Sequence, residues 1–377
     1  MSSRGTASPL RTAHPLARYG WDEGFAESFT PYLDRGLVPG RVVRVDRGRL
    51  DVVVADGEGV TTILADTGLV ATGDPARVPC TGDWAVVEPD RRQGAFVHAL
   101  LPRRTAFWRS ASSKRSDGQV LAANIDRSVI CVSLAGPLDQ GRLERFVALA
   151  WSSGAAPVVV LTKADLAPDL EHALADAAAV APGVPVVPVS AAAGEGVAEL
   201  SALLGNGTSV LLGVSGAGKS TLTNALLGEE VMYVASVRDR DGKGRHTTTT
   251  RELYATESGR VFIDTPGLRG VGLWDAGEGL GRAFGEIEDL ARQCRFGDCG
   301  HRSEPGCAVQ DAVADGELAP RRLESYRRLR REDERLAART DARLRAEQRK
   351  EYKRRDADGR SRGEHKRGGH RYGGHRS

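Results

Sequence analysis

Gly213, Gly216, Gly218, Lys219 and Ser220 stand at the spacing Gly-x-x-x-x-Gly-Lys-Ser. Residues of these types at this spacing grip a chain of phosphates. The apolar run Val210, Leu211, Leu212 precedes them as a strand, and Thr221, Leu222, Thr223, Asn224, Ala225, Leu226, Leu227 follow with helical spacing. Strand, glycine loop and helix in that order form the context a phosphate loop requires. Through Gly213, Val214, Ser215, Gly216, Ala217 and Gly218 the backbone curls so that successive N–H groups point inward. The helix N-terminus adds its positive end. Lys219 then reaches the outer phosphates, and the Ser220 hydroxyl is placed to ligate magnesium. The expectation is a nucleoside triphosphate site.

Other motifs bear on which base is bound. Pro157, Val158, Val159, Val160 and Leu161 lead into Thr162, Lys163, Ala164, Asp165. This quartet resembles the Asn-Lys-x-Asp motif of GTPases, whose aspartate accepts two hydrogen bonds from the guanine N1–H and N2 amine. Adenine lacks that donor pair, so one carboxylate separates the bases sharply. Ser190 and Ala191, after Val186, Val187, Pro188, Val189, look like the short backbone loop that touches guanine O6. Asp264, Thr265, Pro266 and Gly267 follow the apolar run Val261, Phe262, Ile263. Asp264 sits where such proteins hold magnesium through water, and the Gly267 N–H can meet a γ-phosphate. Between the phosphate loop and Asp264 lies the polar run Gly244, Arg245, His246, Thr247, Thr248, Thr249, Thr250. It can offer a hydroxyl to the metal; Thr249 is the expected ligand, with Thr248 next.

The order of these motifs is unusual. In ordinary GTPases the phosphate loop comes first and the base-reading motifs last. Here Asp165 and Ser190 precede Gly213 and Asp264. A circular permutation gives this order without changing the fold, because domain termini often lie close together. The segments around Thr249 and Gly267 are then joined directly to whatever follows residue 270.

A second chemistry lies further on. Cys294, Cys299, His301 and Cys307 have the spacing Cys-x4-Cys-x-His-x5-Cys. Three thiolates and one imidazole complete a tetrahedron, the closed form of structural zinc. A disulfide framework fits poorly with an odd count in a cytosolic setting. Cys80 and Cys131 have strand-like surroundings and are expected to be buried small hydrophobes.

The elements that position these residues belong to a chain of 377 residues, enough for two or three domains with ample core. Net charge is only +3, but beyond residue 320 Lys and Arg outnumber Asp and Glu by about two to one. An acidic body with a basic end points to a polyanionic partner contacted locally. There is no apolar run long enough to cross a membrane and no N-terminal signal segment, so a cytoplasmic protein is expected. Before residue 37, scattered Tyr19, Trp21, Phe25 and Phe29 suggest an irregular arm that packs on something. Short strands at 40–45, 50–54, 61–64, 83–87 and 96–100 suit a Greek-key barrel of the OB type. Such barrels often bind nucleic acid, but many do not, and few aromatics here alternate with basic residues. Residues 102–118 read as a linker. Alternating strands and helices from Val129 to about residue 270 give a doubly wound sheet with its ligand at the strand carboxyl ends. Leu323, Tyr326 and Leu329 in a charged frame predict a helix beyond Pro320.

Together, the barrel, the permuted motif order, Gly-Arg-His-Thr-Thr-Thr, Asp-Thr-Pro-Gly and the Cys/Cys/His/Cys cluster resemble the small-ribosomal-subunit-dependent GTPases of bacteria, the RsgA or YjeQ family. The resemblance spans roughly residues 37–335. It implies an OB-type barrel at 37–106, a circularly permuted α/β P-loop GTPase domain at 107–272 and a zinc-binding helical domain at 273–335. These follow an irregular arm at 1–36 and precede a basic disordered tail at 336–377. It further implies a factor in late maturation of the 30S subunit that binds ribosomal RNA through barrel, zinc domain and tail. GTP hydrolysis is then slow alone and faster on the subunit. Cofactors are GTP or GDP, magnesium and one structural zinc. No membrane or DNA partner is expected, and the chain should act as a monomer.

Two residues depart from common patterns. Thr162 stands where the guanine motif usually has asparagine, a residue that mainly steadies the loops. Many GTPases place a water-orienting glutamine just after Asp-x-x-Gly, whereas this chain has Leu268, which cannot orient water. His246 is the local candidate for that task, with holding its loop or contacting RNA as equal alternatives. Two rival functions come from other classes. A small-molecule or RNA kinase would require ATP and leaves Thr162–Asp165 without a purpose; competition by GDP but not ATP separates it. A zinc-bearing RNA chaperone with incidental nucleotide is separated by turnover with and without small subunits.

Overall fold

In the computed structural model, described for residues 14–46, 48–68, 70, 77–89, 94–109, 119–228, 252–256, 258–264 and 277–340, the alternating stretches after residue 37 form five strands. These are β1 (Val38–Asp46), β2 (Arg49–Asp56), β3 (Gly59–Asp66), β4 (Trp84–Glu88) and β5 (Ala95–Leu100). They pair in the order β1-β2-β3-β5-β4, and β4 returns to β1 to close the barrel. The β3–β5 pair is parallel and the others are antiparallel. Val42, Leu50, Val52, Val54, Ala85, Val87 and Val97 fill its interior, as period-two alternation requires.

The N-terminal arm is not irregular between residues 14 and 36. A 3-10 turn (Pro15–Tyr19), helix α1 (Glu23–Phe29) and a second turn (Thr30–Arg35) cover the outer face of β1 and β4. Asp22 caps α1 by accepting the Phe25 N–H at 3.0 Å. Leu16, Phe25 and Phe29 are buried with Trp84 and Val86, and the Trp21 ring meets Trp84 edge-on at 4.8 Å. So short a helix has no stability of its own; packing on the barrel supplies it. The stretch read as a linker also carries structure. Ala106–Arg109 is β6, paired with β7 (Gln119–Ala123), and Arg104 grips both Asp22 carboxylate oxygens at 2.6 Å.

The second half of the sheet is built from β8 (Arg127–Ser133), β9 (Ala156–Thr162), β10 (Val186–Val189), β11 (Thr208–Leu212), β12 (Glu252–Ala255) and β13 (Val261–Asp264). Their order is β10-β9-β8-β11-β13-β12, parallel except for β12. Helices α2 (Gln140–Ser152), α3 (Leu170–Val180), α4 (Val197–Leu204) and α5 (Lys219–Leu227) connect and cover it. The chain runs outward from β8 through β9 to β10, then crosses back to β11 on the other side. That reversal creates the crevice at strand carboxyl ends in which α/β sheets bind ligands. At its far edge β12 meets β1 through the Arg44–Glu252 pair, so barrel and α/β sheet are hydrogen-bonded into one. Arg41 braces the same junction: fully buried, it donates to the Asn124 carbonyl and the Thr208 hydroxyl.

Four helices follow: α6 (Gly277–Ala283), α7 (Gly285–Ala291), α8 (Ala308–Ala314) and α9 (Pro320–Thr340). Leu280, Phe284, Ile287, Leu323, Tyr326 and Leu329 join Leu143, Phe146 and Val147 of α2 in one continuous core. A Cβ at Gly279 would lie 2.4 Å from the Ala148 carbonyl oxygen, so only glycine lets α6 approach α2 so closely. Buried Glu144 of α2 takes Arg321 and Arg322 of α9 at 2.9 Å each. Arg322 also pairs with Glu286 at 2.7 Å and donates to the carbonyls of Val180 and Ala283. A buried carboxylate with this many donors satisfies its charge, whereas removing either partner would strand the other. Among the described residues no helix is long and apolar enough to cross a membrane.

Candidate nucleotide site and metal cluster

Strand register brings the chemistry together. Ser133, Thr162 and Val189 are aligned at the ends of β8, β9 and β10, and Leu212 ends β11 beside Ile130 of β8. The glycine loop springs from β11 at this edge. Gly213 has φ of 145°, and a Cβ there would sit 2.5 Å from the Cys131 carbonyl oxygen; no other residue fits that close approach. Gly216 and Gly218 adopt left-handed φ values of 79° and 78°. Ser215, Gly216, Ser220 and Thr221 are exposed along the loop, with Val214 half-buried and Ala217 buried behind them. Lys219 opens α5, and its Nζ donates to the Gly213 and Val214 carbonyls at 2.9 and 2.7 Å. The ammonium therefore rests within the loop it is expected to serve. Reaching a phosphate exchanges two neutral acceptors for anionic ones, which make stronger bonds.

The residues expected to read the base adjoin this loop. Thr162 is buried, and its hydroxyl lies 2.8 Å from the Ala217 carbonyl oxygen and 3.3 Å from that of Val132. The hydroxyl therefore ties β9 to the phosphate loop, the steadying task the missing asparagine was expected to perform. Lys163 follows in the left-handed region at φ of 56°, turning the chain into a 3-10 turn (Ala164–Leu166) that leaves Asp165 exposed. Ser190 is held by reciprocal backbone bonds with Glu195 at 3.1 and 3.0 Å, which fix the loop carrying Ala191 after β10, the neighbour of the β9 strand that leads to Asp165. Asp264 ends β13, its backbone opposite Glu252. His246, Thr248, Thr249 and Gly267 lie outside the described residues.

Thr162→Val keeps the volume and removes one neutral hydrogen bond, worth about 1 kcal/mol. GTP affinity is expected to fall by about fivefold, with Thr162→Ser restoring it. Fluorescent-nucleotide titration of both variants checks this; equal affinity of the valine variant would leave the bond without a role in binding.

The cysteine–histidine set converges away from the loop. Cys294, Cys299, His301 and Cys307 bring their ligand atoms within 4.8 Å of one another. His301 Nδ1 is 3.6 Å from the sulfurs of Cys294 and Cys307, which are 3.9 Å apart. A tetrahedron with zinc–sulfur bonds of about 2.3 Å and zinc–nitrogen bonds of about 2.0 Å has edges close to these. The donors fit one structural zinc ion. His301 takes φ of 55°, uncommon for a non-glycine residue, and the Gln310 side chain donates to its carbonyl oxygen. Glu304 staples the loop by accepting the N–H groups of Arg302, Ser303 and Gly300. Those bonds, chiefly the one from Arg302, pull its pKa down to about 2. Cys80 and Cys131 are buried and in no disulfide among the described residues, as their strand-like surroundings led one to expect.

Glu304 and Arg322 went unremarked in the sequence. Glu304 carries a weak signal, a carboxylate three residues after a metal-ligating histidine. Arg322 carries none, because its partner Glu144 is 178 positions away.

Residues 100–274 match the family model described as RsgA GTPase. The chain is 61% identical over 349 residues to the small ribosomal subunit biogenesis GTPase RsgA of Streptomyces coelicolor, covering 92% of this chain and 94% of that one. It is 60% identical over 355 residues to the protein of the same name from Streptomyces avermitilis, covering 93% and 94%. Among solved structures, YjeQ from Thermotoga maritima aligns with a TM-score of 0.60 at 27% identity, over 79% of this chain and 98% of that one. YloQ, described as a circularly permuted GTPase, aligns with a TM-score of 0.58 at 23% identity, over 79% and 95%, and speaks for the fold alone.

Proposed function

The chain belongs to the RsgA GTPase family and is a GTP hydrolase, and from that premise we propose that it binds the small (30S) ribosomal subunit in the cytoplasm and assists its late maturation. Hydrolysis is slow in isolation, faster on the subunit, and coupled to release. The observation that carries the reading is the Thr162–Ala217 bond, which holds a base-reading strand against a phosphate loop despite the permuted order. Nothing in a kinase or a metal-bearing chaperone calls for that juncture.

Each residue then has a task. Asp165 accepts the two guanine donors, and the backbone at Ser190 and Ala191 meets guanine O6. The loop from Gly213 to Thr221 wraps the phosphates, and Lys219 neutralises the outer two. Ser220, Thr249 and Asp264 would hold magnesium, which spreads and screens charge on the transferred phosphoryl group. The Gly267 N–H meets the γ-phosphate. Leu268 offers no hydrogen bond to water, so His246 or a group from the subunit must orient the attacking water. In sequence α6 follows Gly267 by only ten residues, and α6 packs on α2. Loss of the γ-phosphate is thus relayed to the helices around the metal cluster, which releases the subunit.

GTP turnover with and without purified 30S subunits tests the proposal; equal rates would overturn it. Asp165→Asn tests the base assignment. Two charge-assisted bonds are lost, so GTP affinity should fall by about a hundredfold. Xanthosine triphosphate, whose C2 oxygen accepts where guanine donates, should then be preferred. Competition binding with both nucleotides decides, and an unchanged GTP preference sinks the assignment.

A further inference from the structure

The barrel leaves one strand edge open. β3 pairs with β2 along its whole length, but β5 meets it only at Ala65 and Asp66. Among the described residues nothing pairs with the other side of Gly59–Leu64, an edge about 20 Å long. The two-residue turn Gly57–Glu58 closes on the pair Asp56–Gly59. That closing pair exchanges its own N–H and C=O groups, so alternation turns those of Val60, Thr62 and Leu64 away from β2. Proteins blunt such edges with charge, proline or a covering element. Gly59, Val60, Thr61, Thr62, Ile63 and Leu64 supply neither charge nor proline. Thr62 is exposed, and Leu64 keeps 51% of its surface in solvent.

Charge selects what this edge accepts. Along the β2–β3 hairpin Asp51, Asp56, Glu58 and Asp66 stand against the single Arg49. Asp56, Glu58 and Asp66 are exposed at the two ends of the open edge, where they repel a phosphate backbone. A second copy fits no better. Antiparallel pairing of two β3 edges about Thr62 sets Glu58 of each opposite Asp66 of the other, like charges directly across the ladder. An extended segment rich in Lys or Arg meets both demands, main-chain groups for the edge and positive charge for its ends.

We propose that the β3 edge binds a basic, extended segment of a protein by strand addition. The N–H and C=O groups of Val60, Thr62 and Leu64 bond to its main chain, and the Leu64 side chain packs against it. With the small subunit as partner, the segment belongs to one of the subunit's proteins, and that assignment rests on the function proposed above. This face of the barrel then meets protein and not RNA.

Amide exchange at single residues is followed in the full-length protein, free and with an octapeptide of alternating lysine and valine; a glutamate–valine octapeptide is the control. In the free protein the amides of Val60, Thr62 and Leu64 should exchange quickly, and those of Thr61 and Ile63, turned towards β2, slowly. The lysine octapeptide should slow the first three by at least about tenfold, and the glutamate octapeptide should not. Thr62→Pro deletes one outward N–H and leaves the ladder to β2 intact, whereas Thr62→Val keeps it. Against purified small subunits Thr62→Pro should bind about tenfold more weakly and Thr62→Val like the parent. Against protein-free RNA of the subunit all three should bind alike. Unchanged GTP turnover without subunits reports an intact fold. Slow exchange of the three amides in the free protein would mean that the chain covers its own edge, and overturns the proposal. So does equal protection by the glutamate octapeptide, protection by neither, or a Thr62→Pro variant that binds subunits like the parent. Weaker binding of Thr62→Pro to protein-free RNA would give the face to RNA. Should Thr62→Pro also lose GTP turnover, the exchange measurement on the parent decides. If the parent binds no small subunits, the partner reading fails, while protection by the lysine octapeptide still upholds the edge.

Discussion

Lys219→Ala is expected to lower GTP turnover by about a thousandfold, close to abolition if the isolated enzyme is slow, as proposed above. A cation placed against the outer phosphates stabilises charge that grows in the transition state, and removing one such group costs about 3–4 kcal/mol. Lys219 Nζ lies against two carbonyls of that loop, so the variant also loosens the cradle. Barrel and metal cluster should be untouched, because neither contacts the lysine. Single-turnover hydrolysis at saturating GTP, with zinc content and circular dichroism as fold controls, checks the result. A variant with full activity would mean that the loop from Gly213 to Thr221 is not the active site.

The shape of the glycine loop was legible in the sequence because its demands are local. A glycine at position 213 is required by the carbonyl of Cys131, and the motif records that requirement in adjacent letters. The barrel was legible for a related reason: short apolar runs such as Leu50–Val54 and Trp84–Val87 stand at strand length between turn-forming residues. The four candidate zinc ligands likewise lie within one short stretch of sequence.

What escaped notice depends on distant partners. The arm's Phe25 and Phe29 are one helical turn apart, but the helix they belong to is only seven residues long. Its formation depends on Trp84 of the barrel, not on local propensity. Arg104 sits in a stretch whose charges read as linker, and only its grip on Asp22 shows that the stretch is anchored. Thr162 replaces an asparagine, and nothing in the letter says that its hydroxyl reaches Ala217, 55 positions on. Glu144 is a charged residue amid the apolar face of α2, burial that only Arg321 and Arg322 from the last helix make tolerable. Local rules describe elements and motifs; these couplings are properties of the assembled chain.

Removing zinc should have the largest effect on stability, and the structure confines where that effect falls. Forming a structural zinc site contributes on the order of 10 kcal/mol. The loop from Cys294 to Cys307 holds three thiols and an imidazole close together and keeps His301 in a left-handed conformation, and few apolar side chains support it. Cys299→Ser or strong chelation is therefore expected to unravel 294–307. The surrounding helices should survive, since Phe284, Leu323, Tyr326 and Leu329 remain in the core shared with α2 and Arg322 remains bound to Glu144. Guanine binding, proposed to rest on the loops after β9, β10 and β11, should be nearly unchanged. Binding to the small subunit is expected to weaken, because the exposed residues of the loop, Arg295 and Arg302 among them, lose their fixed positions with it. Hydrogen exchange of peptides across 294–307, with metal analysis and parallel titrations of GTP and subunits, reads each part. Absence of stoichiometric zinc, or an equal loss of GTP and subunit affinity on chelation, would show that the cluster is not a local structural metal site.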